Sequence, residues 1–232
     1  MRSFFVAILA VLSAGGYAGD VAIFQNLGFS NDGRYFQFGQ YGVDSQTQAP
    51  YAQIFTVEVP RNTFVPNSAF RGTFPGGASL GDDGRKALLA LMDQAATTRR
   101  RLGVDAVRLG RPIFFRVNGD NAEGKNVTFI DYQTSRDYSL KLTQTVTPSG
   151  STVQSSFYID LVIKTEAGQT VHTSRIGTPS IQRRGVTDYR IHQVILGPTE
   201  REIVVIVERL ERGTTPDDVN IRYMAETGRI SP

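Results

Sequence analysis

The chain has 232 residues, 40% of them hydrophobic and 20% charged, and its 25 basic and 22 acidic side chains leave a formal charge of +3. This composition supports a folded globular body over a disordered chain, and so small a positive excess gives no reason to expect nucleic acid as a partner. There is no Cys, which excludes disulfides, thiolate zinc sites, iron–sulfur clusters and a Cys nucleophile.

The N-terminus has the pattern of an export signal. Arg2 supplies a positive start, Phe4 to Leu12 form a short apolar run, and Gly16 and Ala18 are the small residues that precede a cleavage site. The apolar run is too short for a bilayer, which needs roughly 20 residues. No Cys follows it, so lipoprotein anchoring is excluded. The expectation is a leader over residues 1–18, and a mature chain over 19–232 that forms one β-rich domain without a transmembrane helix and is secreted or periplasmic. Without Arg2, the mature chain has 24 basic and 22 acidic residues, a charge of about +2.

Beyond Gly19 the apolar pattern is mostly of period two, the mark of strands. "VAIFQNLGF" and "RYFQFGQYG" flank "SNDG", where Asp32-Gly33 predicts a hairpin turn. Tyr35, Gln37 and Gly39 fall on one face of the second strand, and Phe36, Phe38 and Gln40 on the other. "YAQIFTVEV" alternates in the same way. "PNSAFRGTFPGGASLGDDG" has the composition of a long surface loop. A helix is predicted over about 83–102, with Asp82 or Asp83 as N-cap, an apolar stripe of Leu88, Leu91, Met92, Ala95 and Leu102, Arg99, Arg100 and Arg101 in the last turn, and Gly103 just past its end. Strands then resume through "RPIFFRV", "NVTFIDYQ", "DYSLKLTQTV", "STVQSSFYIDLVIKT", "TVHTSRIG", "TDYRIHQVIL", "REIVVIVERL" and "VNIRYMAET". About ten strands joined by short turns predict a mainly β fold, an antiparallel β-sandwich or partly closed barrel with one amphipathic α-helix packed on it.

Chemistry-bearing patterns are few. The densest positive charge is Arg99, Arg100 and Arg101, with Arg108, Arg111 and Arg116 nearby. It suits an anionic partner such as a phosphate, acidic glycan or headgroup, and equally the C-terminus of a helix. Arg183-Arg184 is a weaker pair in a loop. His172 and His192 lie in separate strands with no second ligand at metal spacing, so no metal and no cofactor is expected. Ser30 or Ser174 could work with a distant His, but no nucleophile elbow is present. Asp20, Asp82, Asp83, Asp131 and Asp160 could supply a dispersed glycosidase pair, and none of them stands out. "NGDNAEG" has oxygen ligands but lacks calcium-loop spacing, and Asn126-Val127-Thr128 is a glycosylation sequon.

"FSNDGRYFQFG" resembles one blade of the propeller family marked by F-S-x-D-G, through Phe29, Ser30, Asp32, Gly33, Arg34 and Phe38. The resemblance implies structural roles for these residues, with Ser and Asp closing the turn and the Phe rings filling core. Ten strands cannot supply the four or more four-stranded blades of a propeller. "GDVAIFQNLGFSNDGRYFQFGQYGV", "PYAQIFTVEVPRNTFVP" and the ending "NIRYMAETGRI" resemble the bacterial predicted secreted proteins grouped as a domain of unknown function. That resemblance implies export and transfers no catalytic residue. The expectation is therefore an exported envelope or periplasmic binding or structural module whose partner is an envelope component or anionic ligand, with a glycan-directed hydrolase as the alternative.

Overall fold

The computed structural model of the protein describes residues 19–78, 81–117, 123–149, 152–213 and 218–230. The expected leader, and the Asn118 to Ala122 part of the loop considered for calcium, lie outside the described residues. Strand accounts for 58% and helix for 11%, so the fold is mainly β as expected.

The chain first builds an antiparallel sheet from β1 (Ile23–Ser30), β2 (Tyr35–Val43), β3 (Pro50–Glu58), β4 (Thr63–Phe64), β5 (Phe70–Thr73) and β6 (Val104–Asp105), in the order β4-β3-β2-β1-β6 with β5 also paired to β3. Helix α1 (Arg85–Leu102) lies between β5 and β6 in sequence. After β7 (Arg111–Phe115), a second sheet forms from β8 (Asn126–Asp131), β9 (Arg136–Ser149), β10 (Thr152–Thr165), β11 (Thr170–Ile176) and β12 (Arg183–Arg184), ordered β11-β10-β9-β8 with β12 on β10. The C-terminal strands β13 (Val186–Leu196), β14 (Glu202–Arg212) and β15 (Val219–Arg229) join β7 in a third sheet, β15-β14-β13-β7.

This C-terminal sheet is the middle layer. One of its faces puts Ile195, Val204, Ile206 and Ala225 against Phe36, Phe38, Phe55 and Val57 of the first sheet. The other puts Ile191, Val194, Ile203, Val205 and Val207 against Leu140, Phe157, Ile159 and Leu161 of the second. Alternate side chains of β14 therefore enter different cores, and each buried Val or Ile contributes roughly 1.5–3 kcal/mol relative to exposure. The outer face of the first sheet is closed by α1, whose Ala87, Leu88, Leu91 and Ala95 pack on Leu27, Tyr41, Ala52 and Ile54. Close approach there needs Gly39, because a Cβ on it would lie 2.7 Å from Leu88 Cδ1. The barrel expectation gives way to an open stack with no closed barrel, and the sandwich has a third sheet.

The turn between β1 and β2 forms as expected. The Ser30 hydroxyl donates to Asp32 Oδ1 at 2.6 Å and accepts the Tyr35 N–H at 2.9 Å, while Asp32 Oδ1 accepts the Arg34 N–H at 3.0 Å. Gly33 takes φ +68°. Phe29, Phe36 and Phe38 are fully buried, so these aromatics are core.

Two local expectations change. Gly84 in the left-handed conformation, with no side-chain cap, precedes the first turn of α1; Asp82 accepts the Gly84 N–H and Asp83 the N–H of Arg85, the first residue of the helix. The reason is steric: a Cβ at Gly84 would sit 2.2 Å from the Gly42 carbonyl oxygen. At the other end Gly103 is left-handed as expected, with its N–H on the Arg100 and Arg99 carbonyls. The stretch read as one long loop contains β5, where Arg71 pairs with Gln53 and Gly72 with Ala52. A partner nearly twenty residues back in sequence leaves no local trace.

Strand β15 is an edge of the middle sheet, and polar groups guard its outer side. Ile221 donates to the Asp20 carbonyl. The Tyr223 N–H goes to Gln40 Oε1 at 2.7 Å, and the Thr227 N–H to Asn62 Oδ1 at 2.7 Å. Such blocking is how natural sheets prevent edge-to-edge pairing.

Candidate functional site

Where the first sheet overhangs the edge of β15, a polar groove of about 510 Å³ opens between β3, β5 and the loop after β2. Its floor is fixed by a convergence from both ends of the chain. Asp20 accepts from the Tyr51 hydroxyl at 2.9 Å and from Arg222 Nη2 at 2.6 Å, while Arg222 Nη1 binds the Asp20 carbonyl at 2.9 Å. The Arg222 guanidinium also lies over the Tyr51 ring at 4.8 Å. Burial pushes the Tyr51 phenol pKa up, so it serves as a neutral hydrogen-bond donor.

Arg71 enters the groove from β5, opposite Gln53. It is exposed, rests over the Phe55 ring at 5.3 Å, and has no carboxylate partner among the described residues. Asp44, on the rim, is held below the usual carboxylate range by the Thr47 backbone N–H, then by the Thr47 hydroxyl. It shapes its own loop through Oδ1, which accepts the Gln46 and Thr47 N–H groups and the Thr47 hydroxyl. Around one space the groove offers a held cation, a cation with no acidic partner among the described residues, a phenol, an amide and, on its rim, the Asp44 carboxylate.

A larger hollow, about 730 Å³, lies on the second sheet near Ile130, Tyr132 and Val162. Its charges, Asp137 and Lys164, face each other across β9 and β10. Convergent polar groups fix a ligand's orientation in a cavity, and the smaller groove gathers more of them, so it is the stronger candidate.

The arginine group read from sequence is dispersed. Arg108 pairs with Asp105, Arg111 with Asp131 and Glu200, and Arg116 with Glu208. Arg99 reaches back to the Leu27 carbonyl at 3.5 Å, and its buried Nε has no partner. Arg100 and Arg101 are exposed at the end of α1, with Arg100 touching the Thr97 hydroxyl at 3.4 Å. Arg183 is drawn to Glu226 at 3.2 Å.

The carboxylates considered for catalysis have separate partners. Asp20 has Arg222 and Tyr51, Asp82 and Asp83 serve the start of α1, and Asp160 pairs with Arg175. Burial raises the Asp131 pKa, but the bidentate Arg111 guanidinium and the Thr134 hydroxyl outweigh it and hold the carboxyl below its usual range. Ser30 is spent on its turn. Ser174 bonds His172 Nε2 at 2.9 Å on the same strand, β11, rather than a distant His; burial lowers the His172 pKa. His192 has a carboxylate neighbour that sequence spacing did not reveal: Glu208, across the β13–β14 pair, approaches to 3.1 Å with its other oxygen on Arg116. The His192 Nδ1 nevertheless lacks hydrogen-bond geometry to it. Asn126 of the sequon is exposed at the start of β8.

These layers and this groove define a β-rich, three-sheet module built around a buried C-terminal sheet. The chain belongs to the family described as predicted secreted protein, DUF2259, a family of unknown function whose model matches residues 37–229. No curated protein matches the chain, and no solved structure does. Among the described residues, no helix is long and apolar enough to cross a membrane.

Proposed function

We propose that the protein is an exported, envelope-associated or periplasmic binding module that holds a polar ligand through a carboxylate or phosphate group, without transforming it. The observation that carries this reading is Arg71, a guanidinium without an acidic partner among the described residues, facing a polar groove beside a second arginine already held by Asp20. An arginine fork is suited to such anions. The family's description as secreted supports export. The separate structural partners of the carboxylates support a non-enzymatic role.

The test is a nuclear magnetic resonance titration with glucuronate, inorganic phosphate and neutral glucose. The anions are expected to shift Gln53, Arg71, Thr73 and Arg222, glucose to do so far less, and Arg71→Ala to abolish the response at unchanged melting temperature. Anion-induced shifts absent from the groove would refute the proposal. A parallel variant, Arg100→Ala with Arg101→Ala, separates the groove from docking by the exposed arginines at the end of α1: binding through that end would be lost in this variant and retained in Arg71→Ala.

A further inference from the structure

A second cavity lies along β15, at the end of the strand away from Arg222. It is about 170 Å³, and Val57, Phe64, Ile181, Met224 and Ala225 form its apolar wall. That is below the roughly 300–1,000 Å³ of sites for drug-sized molecules, and suits one side chain or a compact ligand. Two of its wall residues, Phe64 and Ile181, are about half exposed, so the mouth is apolar and open to solvent.

The polar lining of this cavity is Glu226 together with Asn62, Thr63, Thr178 and Arg183. The Glu226 carboxylate is only 4% exposed. One oxygen accepts from Asn62 Nδ2, and the other accepts from Arg183 Nη2 at 3.2 Å. A carboxylate has about four acceptor sites, so two remain. Burial raises the carboxyl pKa against the opposing pull of Asn62 and Arg183. Arg183 is itself committed: it also lies over the Phe157 ring at 5.1 Å. At the cavity wall, Ala225 sits between the two blocked positions of the β15 edge. Since Tyr223 and Thr227 point their N–H groups outward, strand alternation points that of Ala225 outward as well, and it meets no acceptor among the described residues.

We infer that this cavity is a binding site for an ammonium group carried on a short apolar stem, with the stem against Phe64, Ile181 and Met224 and the ammonium on Glu226. A carboxylate-headed ligand would meet Glu226 as a like charge and Arg183 as an opposite one that Glu226 already holds, an alcohol would supply one donor without charge, and an ammonium supplies the donors that the two open acceptor sites of Glu226 lack. A free alkylamine and a lysine side chain share the required chemistry.

The experiment titrates the protein with n-pentylamine, 1-pentanol and valerate, which have matched stems, and follows backbone amide shifts. The amine is expected to bind tightest, by about tenfold or more over the alcohol for a charge-assisted contact, with shifts at Asn62, Thr63, Phe64, Thr178, Arg183, Ala225 and Glu226. Glu226→Gln is expected to remove the preference for amine, and Phe64→Ala, at an exposed position where folding is not at stake, to weaken amine and alcohol alike. Amine binding is expected to fade as pH falls through the Glu226 titration. N-acetyl-lysine N-methylamide supplies the second arm: tighter binding than pentylamine identifies a peptide lysine as the source, and weaker binding a free amine. Equal affinity for amine, alcohol and acid, no response to either amine, or an amine preference that survives in Glu226→Gln would each overturn the inference.

Discussion

The Asn31–Asp32–Gly33 turn is held from three directions. Ser30 and Asp32 close it internally, the Gly33 N–H reaches the Ser30 carbonyl at 3.0 Å, and Glu202 of the middle sheet presses on it from outside. A Cβ at Gly33 would lie 2.3 Å from the Glu202 carboxyl carbon. That carboxylate, 1% exposed, is anchored by the Thr199 hydroxyl at 2.7 Å and cannot easily retreat. Gly33→Ala is therefore expected to destabilise the fold by about 1–3 kcal/mol through positive φ plus steric contact. Gly77 has a similar φ of +75° and nothing within 4 Å of a Cβ, so Gly77→Ala should show the backbone part alone, about 1 kcal/mol. Urea unfolding of the two variants measures the difference, and equal losses would remove the role given to Glu202. The turn itself was legible from Asp32-Gly33 because its chemistry is local. Glu202, nearly 170 residues away, left no sign of its approach in that stretch.

At the scale of elements, the guarded edge of β15 makes the clearest prediction. Gln40 and Asn62 each satisfy one outward N–H with a side-chain amide, and Gln40 is braced by Gln53 at 2.9 Å. Replacing either by Ala should cost about 1–2 kcal/mol for the stranded donor. The double variant should also self-associate as concentration rises, because the Tyr223 and Thr227 donors on either side of Ala225 become free for another strand. Light scattering would read this directly, and a double variant that stays monomeric would show that other features protect the edge. Helix α1 was readable because its signals coincide: apolar stripe, terminal arginines and Gly103. Its start was misread because Asp82 and Asp83 are good caps, whereas the decisive constraint is contact of Gly84 with Gly42. The groove was not readable at all. Arg71 lies in a Gly- and Pro-rich stretch with the look of a loop, and Asp20, Tyr51 and Arg222 meet across as many as 202 residues.

For the whole molecule, the middle sheet ties the other layers together. Most strands show period two, but "IVVIV" in β14 is a continuous apolar run, the pattern of a strand covered on both sides. Giving that run its weight would have indicated a third layer; alternation alone suggested two. Since Val204 and Ile206 pack on one neighbouring sheet while Val205 and Val207 pack on the other, each outer sheet loses its inner core without the middle one, and the first keeps only the face that α1 covers. We therefore expect one unfolding transition, with far-ultraviolet dichroism and the tyrosine near-ultraviolet signal superimposable across a urea series. Two resolved transitions would show that the outer sheets melt independently.

The position of that sheet in the sequence also sets an order of events. The aromatic face of β1 to β3 is made early, yet the strands that cover it, from Val186 to Arg229, come last. A polypeptide delivered from its N-terminus keeps Phe36, Phe38 and Phe55 wet until nearly the whole length has emerged. Such late closure leaves those rings uncovered, and the chain prone to association through them, until the final hairpin arrives.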